Sequence, residues 1–282
     1  MIIIDGKRLS QEFLIRIKEE MNTLPFRPVF CDVLVGDDKV SMQYVGMKAK
    51  AAIDAGLLFH RATFPASITT EELIKEIKIL NKIQNMCGLI LQLPLPPHLD
   101  TQMALDAVDP SIDVDCLGTV ASEKFYRGEK AIGFPTALAC IKLIDSLHLD
   151  LKGKKIVVLG QGNLVGKPVT ALLRFLGSYP VAISIETKNK EDLIKEADLV
   201  ISGIGKGEYI TGDMIKQGAI LIDAGTSESS SGIVGDVDLD SVKNVAGYAS
   251  PVPGGVGPMT VAMLLHNVLE VAKRKVTENI QN

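Results

Sequence analysis

The chain lacks an excess of basic charge: Lys and Arg total 30 against 34 Asp and Glu, a formal charge of -4. Such a balance builds no field for non-specific nucleic-acid binding, so no nucleic-acid partner is expected. It also lacks any Cys-x-x-Cys pair. Cys31, Cys87, Cys116 and Cys140 lie far apart, a spacing poor for zinc and sparse for a disulfide scaffold, so no metal is expected and the reducing cytoplasm is the expected compartment. The opening Met1-Ile-Ile-Ile-Asp-Gly-Lys7 has no basic leader and too short an apolar stretch for a signal peptide. The longest stretch without Asp, Glu, Lys or Arg, 244–269, has the length of a membrane span. Pro251, Pro253, Pro258 and several glycines would break a spanning helix there, so no membrane partner is expected. Internal repeats are absent, and Ser227–Ser231 reads as a short polar loop.

What is present is an ordinary globular composition, 46% hydrophobic and 23% charged over 282 residues, which suits two modest domains. Strands are read at 29–35, 88–93, 154–159, 181–185, 199–204 and 219–223. Helices are read at 41–55, 69–81, 137–147, 165–176 and 260–275, the last behind a Thr260 cap and ending in basic residues. Strands alternating with helices give an α/β fold of parallel βαβ units. Gly133–Thr136 interrupts the pattern and marks the boundary.

The second half opens on Ile156-Val-Val-Leu-Gly160-Gln161-Gly162-Asn-Leu-Val-Gly166-Lys-Pro168, a glycine turn between strand and helix. There the glycines allow a tight turn, and backbone N–H groups at the helix N-terminus can approach a pyrophosphate. The G-x-G-x-x-x-G spacing is one residue longer than the usual fingerprint, and such turns also occur without nucleotides. At the end of the next strand, Ser184-Ile185-Glu186-Thr187 offers a carboxylate that could accept from a ribose diol and repel a 2′-phosphate. This leans towards NAD over NADP. Glu186 also reads as a solvated loop charge, and Lys167, Arg174 and Lys188 could answer a 2′-phosphate, so NADP or NAD stays open.

In the first half, Tyr44 and Lys48 are one turn apart on a helix whose core face is assigned to Val45, Ala49, Ala52 and Ile53. A lysine partly withdrawn from water beside a flat hydroxylated ring can move protons near a reacting carbon; a surface lysine beside a half-buried tyrosine is the plainer alternative. Tyr-x-x-x-Lys is also the pair of short-chain dehydrogenases, but there the glycine turn comes first, and here the order is reversed. Gln92 closes the apolar run Gly88–Leu91 before Leu93-Pro94-Leu95-Pro96-Pro97, where an α/β sheet places binding groups. Asp113-Val-Asp115 follows Asp109-Pro110 as an acid-rich loop, a hydrogen-bonding site, a metal site or a solvated turn. Ser250-Pro-Val-Pro253-Gly254-Gly255-Val-Gly-Pro-Met-Thr260 reads as a rigid wall closing a pocket.

Taken in order, these segments resemble the bifunctional methylenetetrahydrofolate dehydrogenase/methenyltetrahydrofolate cyclohydrolase family over nearly the full length. The carriers are Tyr44-Val-Gly-Met-Lys48, Gln92-Leu-Pro-Leu-Pro96, Asp113-Val-Asp115, Gly235-Asp-Val-Asp238 and Pro251–Thr260. The resemblance implies a catalytic folate-binding domain at 1–135 with the helix at 260–282 returning to it, a Rossmann-type NAD(P)-binding domain at 136–259, and an active-site cleft between them. It implies that Lys48 is the central catalytic group with Gln92 tuning it, and that Tyr44 stacks on folate. Asp115 would hold the pterin and Pro253, Gly254 and Gly255 would line the pocket. Gly160, Gln161, Gly162, Gly166, Ile185, Glu186 and Thr226 would meet the cofactor. It further implies a homodimer and the two-step conversion of methylenetetrahydrofolate through the methenyl cation to 10-formyltetrahydrofolate. A dehydrogenase with weakened cyclohydrolase, or a non-catalytic folate- or nucleotide-binding regulator, are the alternatives; the retained Tyr44, Lys48 and Gln92 speak against them. Departures from the family pattern are Ile112 for Lys, Cys116 for Gly, Gly133-Phe-Pro-Thr136-Ala137 for Pro-Cys-Thr-Pro, Gln161-Gly162 for Arg-Ser, Ser184-Ile185 for His-Ser, and Asp223-Ala-Gly-Thr226-Ser227 for Asp-Val-Gly-Ile-Asn.

Overall fold

A computed structural model of the chain describes residues 1–129, 132–229 and 232–281. In chain order the elements are β1 (Ile2–Ile3), α1 (Gly6–Met21), β2 (Val29–Val35), α2 (Lys39–Asp54), β3 (Leu58–Phe64), α3 (Thr70–Leu80), β4 (Met86–Leu91), α4 (Thr101–Asp106), α5 (Thr119–Tyr126) and α6 (Pro135–Asp145). There follow β5 (Ile156–Leu159), α7 (Gly166–Phe175), β6 (Val181–Ile183), α8 (Lys190–Lys195), β7 (Leu199–Ser202), β8 (Ile220–Asp223), β9 (Ser227–Ser229), β10 (Gly232–Val234), α9 (Leu239–Val242), β11 (Tyr248–Ala249) and α10 (Val256–Gln281). The chain forms two compact units. One is Glu12–Pro135 with Val261–Asn282; the other is Met1–Gln11 with Thr136–Thr260.

The first unit is built on a three-stranded parallel sheet in the order β3-β2-β4. Every residue of β2 and β4 is buried, as expected of parallel strands covered on both faces. The helices covering it carry recognisable start signals. Asp38 caps α2 by accepting from Ser41 N at 2.7 Å. Thr69 and Glu72 form a reciprocal capping box at α3. Helix α10 contributes Leu264, Leu265, Val268 and Leu269 to this core. It comes so close at β4 that a Cβ on Gly88 would lie 2.7 Å from Val268 and 3.0 Å from Val114. Buried Asn267 fastens the same helix by donating to the Val114 and Gly133 carbonyls at 2.8 and 2.7 Å.

The second unit is a six-stranded parallel sheet, β1-β11-β8-β7-β5-β6. The chain leaves β5 to β6 on one side and then crosses to β7 on the other. The carboxyl end of β5 is therefore the topological switch point, where α/β sheets bind ligands. Residues 1–11 pack with this unit, where β1 extends its sheet alongside β11.

Three local expectations change. Helix α10 begins at Val256 rather than behind a Thr260 cap: Pro258 is tolerated in its first turn, and the Thr260 hydroxyl donates back to the Val256 carbonyl at 3.0 Å. Part of the segment read as a polar loop, Ser227–Ser229, is strand β9, paired antiparallel with β10; Ser230 and Ser231 lie outside the described residues. On α2 the buried stripe is Ser41, Val45, Lys48 and Ala52, while Ile53 is exposed and Ala49 half-buried.

Candidate active site

Lys48 occupies a position of the helix stripe that would ordinarily hold an apolar side chain, so α2 aims it into the first unit instead of into solvent. Its side chain is 11% exposed. Nζ donates to Gln92 Oε1 at 2.8 Å. Gln92 is positioned in turn: its backbone N–H donates to the Val33 carbonyl at 2.8 Å, and its side-chain amide donates to the Leu93 carbonyl at 2.7 Å. That second bond fixes which end of the amide faces the lysine.

A residue not singled out from the sequence completes the cluster. Asp32, in the middle of β2 and wholly buried, places Oδ2 2.8 Å from Lys48 Nζ. The contact is a close ion pair, and among the described residues no further donor reaches either Asp32 oxygen. Burial pushes the Asp32 carboxyl above the ordinary carboxylate range; Lys48, and more weakly Arg61, pull it back. The signal available in the sequence was a single charge inside an otherwise apolar strand.

Asp115 is the third carboxyl-or-amide group around the lysine. Burial pushes it up to about 7, the Lys48 charge draws it down, and Asp113 and Asp32 push it up further. Asp113 itself is structural: buried, it accepts from Cys116 N at 2.9 Å and Gly118 N at 2.8 Å, holding the loop that presents Asp115. Cys116 adopts φ +63, a left-handed conformation that glycine takes at no steric cost. Ile112 is buried in the core. Tyr44, half-buried, lies one turn before Lys48. Among the described residues no group of three His, Cys, Asp or Glu could hold a metal ion.

The other predicted residues belong to the second unit. At the switch point Gly160 has φ +88, and a Cβ on Gly166 would lie 1.8 Å from the Gly160 carbonyl oxygen. A Cβ on Gly162 would meet nothing within 4 Å. No side chain caps the start of α7, and its Lys167 N–H closes the glycine turn by donating to the Gly162 carbonyl at 3.2 Å. These features fit a dinucleotide pyrophosphate. Gln161 folds back to donate to the Gly160 and Val158 carbonyls at 2.8 and 3.2 Å, stiffening the turn. Ile185, Glu186 and Thr226 are exposed, and the Glu186 backbone is held by Ser184 Oγ. Pro253, Gly254 and Gly255 form the segment before α10. Gly254 accepts from Lys7 N at 2.9 Å, and a Cβ on Gly6 would collide with the Gly255 carbonyl at 2.0 Å.

Comparison with known proteins decides the family. The tetrahydrofolate dehydrogenase/cyclohydrolase catalytic domain matches residues 4–115, and the NAD(P)-binding domain of the same family matches residues 135–276. The chain belongs to the tetrahydrofolate dehydrogenase/cyclohydrolase family. It is 43% identical over 277 residues to the bifunctional protein FolD of Nautilia profundicola, covering 97% of this chain and 98% of that one. Among solved structures, the bifunctional FolD of Campylobacter jejuni superposes with a TM-score of 0.94 at 35% identity, covering 98% and 99% of the two chains. The Trypanosoma brucei FolD, solved with NADP cofactor and an inhibitor, gives 0.92 at 34% identity and covers 98% of each chain. The family's two domains are both present, and the Lys48 cluster lies in the catalytic one.

A second buried acidic group, Asp223 with Asp236 of the Gly235–Asp238 segment, lies in the NAD(P)-binding unit. Asp223 accepts from the backbone N–H groups of Gly225, Asp236 and Val237. Asp236 accepts from Ser202 Oγ at 2.6 Å and from the Ile204 and Lys206 N–H groups. With every contact directed at loop backbone or a serine, this pair shapes the carboxyl ends of β7 and β8.

Proposed function

We propose that the chain oxidises 5,10-methylenetetrahydrofolate to 5,10-methenyltetrahydrofolate with NAD(P)+ and hydrolyses that product to 10-formyltetrahydrofolate, with Lys48 as the proton-handling residue. The carrying observation is the buried Lys48 Nζ, fixed 2.8 Å from both Gln92 Oε1 and Asp32 Oδ2. Hydride acceptance is the chemistry that the bound nicotinamide supplies. For that step the glycine turn holds the pyrophosphate, and the catalytic unit holds folate through Tyr44 against its ring and Asp115 at the pterin N–H edge.

Hydrolysis makes heavier demands on side chains. Water adds to the methenyl carbon, a C–O bond forms, and one proton leaves to solvent. In the next step the bond from that carbon to N5 breaks. The Lys48 ammonium donates a proton to the departing N5, and the resulting amine takes one from the hydroxyl as it becomes the formyl carbonyl. Charge and atoms balance, and the lysine ends as it began. Gln92 orients Nζ through its carbonyl oxygen, which can only accept. Asp115 accepts from the pterin as a carboxylate, so folate binding weakens as pH falls through about 7.

The 2′-position leans towards NAD. Glu186 is exposed just past β6, and Lys167, in the first turn of α7, is tied to Asn163 Oδ1 at 2.9 Å. Four buried, unbridged cysteines support a reducing compartment such as the cytoplasm. A homodimer follows from the family resemblance and is checked by sedimentation. The deciding experiment incubates purified protein with methylenetetrahydrofolate and NAD or NADP and follows methenyl and formyl products separately. Both products are expected; neither appearing with either nucleotide overturns the reading.

A further inference from the structure

The structure assigns Asp32 as a positioning residue and buried counter-ion of Lys48, holding the ammonium form that hydrolysis needs. The inference rests on the proposed role of Lys48 and extends it to a wholly buried side chain that acts through the lysine.

A carboxylate in a strand buried on both faces is costly unless it is paired. Asp32 has no backbone or side-chain donor in directed geometry, so nothing in β2 itself explains its presence. Its partners in register are Arg61 on β3 and Ile90 on β4. Arg61 is exposed and acts only at long range, and among the described residues Lys48 Nζ is the one cation in contact, at 2.8 Å. Gln92 meets the same Nζ from the end of β4. The charged and titratable groups facing the pair are therefore Lys48 from α2, Arg61 from β3, Asp115 and Asp113 from the loop after β4, and the neighbouring Cys31 thiol, which burial and Asp32 push up to about 12. Asp115 is needed by folate. Asp32 is enclosed by the sheet and free for one task, keeping a proton on Lys48 and keeping Nζ in place between turnovers.

The test compares wild type with Asp32→Asn, which keeps shape and removes charge, and with Asp32→Val, which suits an all-buried strand. Methenyl hydrolysis is measured against pH after subtraction of the uncatalysed rate. Loss of a contact counter-ion moves a partner's titration by about 1–3 pH units, so the alkaline limb of kcat should shift to lower pH by about that amount in both variants. At neutral pH kcat should fall about ten-fold with KM changed less than about two-fold, because Asp32 is wholly buried and acts through Lys48. Unchanged alkaline limbs in both variants would overturn the assignment, since a merely structural aspartate would not move them. Lys48→Met is run alongside. If it hydrolyses normally, the Lys48 reading itself fails; if it is inactive while both Asp32 variants keep the wild-type profile, only the Asp32 inference fails.

Discussion

Asp115→Asn should make the catalytic unit more stable while disabling it, and pH separates the two effects. Burial holds the Asp115 carboxyl at about 7 against an ordinary 3.8. Because the folded-state value lies above the unfolded one, the unfolded chain releases this proton more readily between about pH 4 and 7. Folding stability from this group is therefore fully present in acid and is lost as pH rises through that window. Three units correspond to about 4 kcal/mol at about 1.4 per unit. Water reaching the half-buried carboxylate trims that to about 2 kcal/mol. Asparagine carries no charge to desolvate, so urea unfolding at pH 8 should show the variant more stable by about 2 kcal/mol, with the gain vanishing towards pH 4. Folate KM should rise at the same time, because the amide can offer the pterin only its carbonyl oxygen as acceptor. A gain equal at pH 4 and pH 8, or a wild type more stable at pH 8, would refute the claim that desolvation dominates at Asp115.

Lys48→Met should lower methenyl hydrolysis by at least about 100-fold, the usual worth of a positioned proton donor, while NAD(P) binding measured by calorimetry stays unchanged. Gly166→Ala places a methyl 1.8 Å from the Gly160 carbonyl, so the turn must open. NAD(P) affinity should drop more than about ten-fold, and steady-state hydrolysis of added methenyl substrate should persist. Gly88→Ala drives a Cβ against Val268 and Val114 and should cost about 1–3 kcal/mol by overpacking, read as a lower unfolding midpoint of the catalytic unit. Glu186→Gln should improve the NADP-to-NAD ratio of kcat/KM by about ten-fold, roughly 1.4 kcal/mol of relieved repulsion.

Elements were legible where one physical signal dominated. The buried parallel strands appear as apolar runs, and β2 runs from Val29 to Val35 as read from the sequence. Helix α3 announces itself through its capping box. Edge strand β3, Leu-Phe-His-Arg-Ala-Thr-Phe, escaped because His60 and Arg61 interrupt it and most of its residues are not buried; charged edge strands guard a sheet against mispairing and so hide from a search for apolar runs. The apolar runs at 181–185 and 199–204 outlast strands β6 and β7, because apolar residues continue past the ladder: Ile185 is 92% exposed. Thr260 looked like a cap because its hydroxyl suits one, yet the helix had already begun across Pro258.

The site divides along the same line. Lys48 and Gln92 could be picked out because each stands out in its local pattern, but the contact between them spans 44 residues of sequence and only the fold creates it. Asp32 shows what a stricter reading of β2 would have required. A strand read as buried on both faces cannot carry an unpaired carboxylate, so Val-Phe-Cys-Asp-Val-Leu-Val demands a cation from outside the strand. The neighbouring helix offers Lys39, Lys48 and Lys50, and only Lys48 falls on the Ser41–Val45–Lys48–Ala52 face that turns inward. The two anomalies, an acid in a buried strand and a base on a buried helix face, each lack a local explanation and supply one for the other.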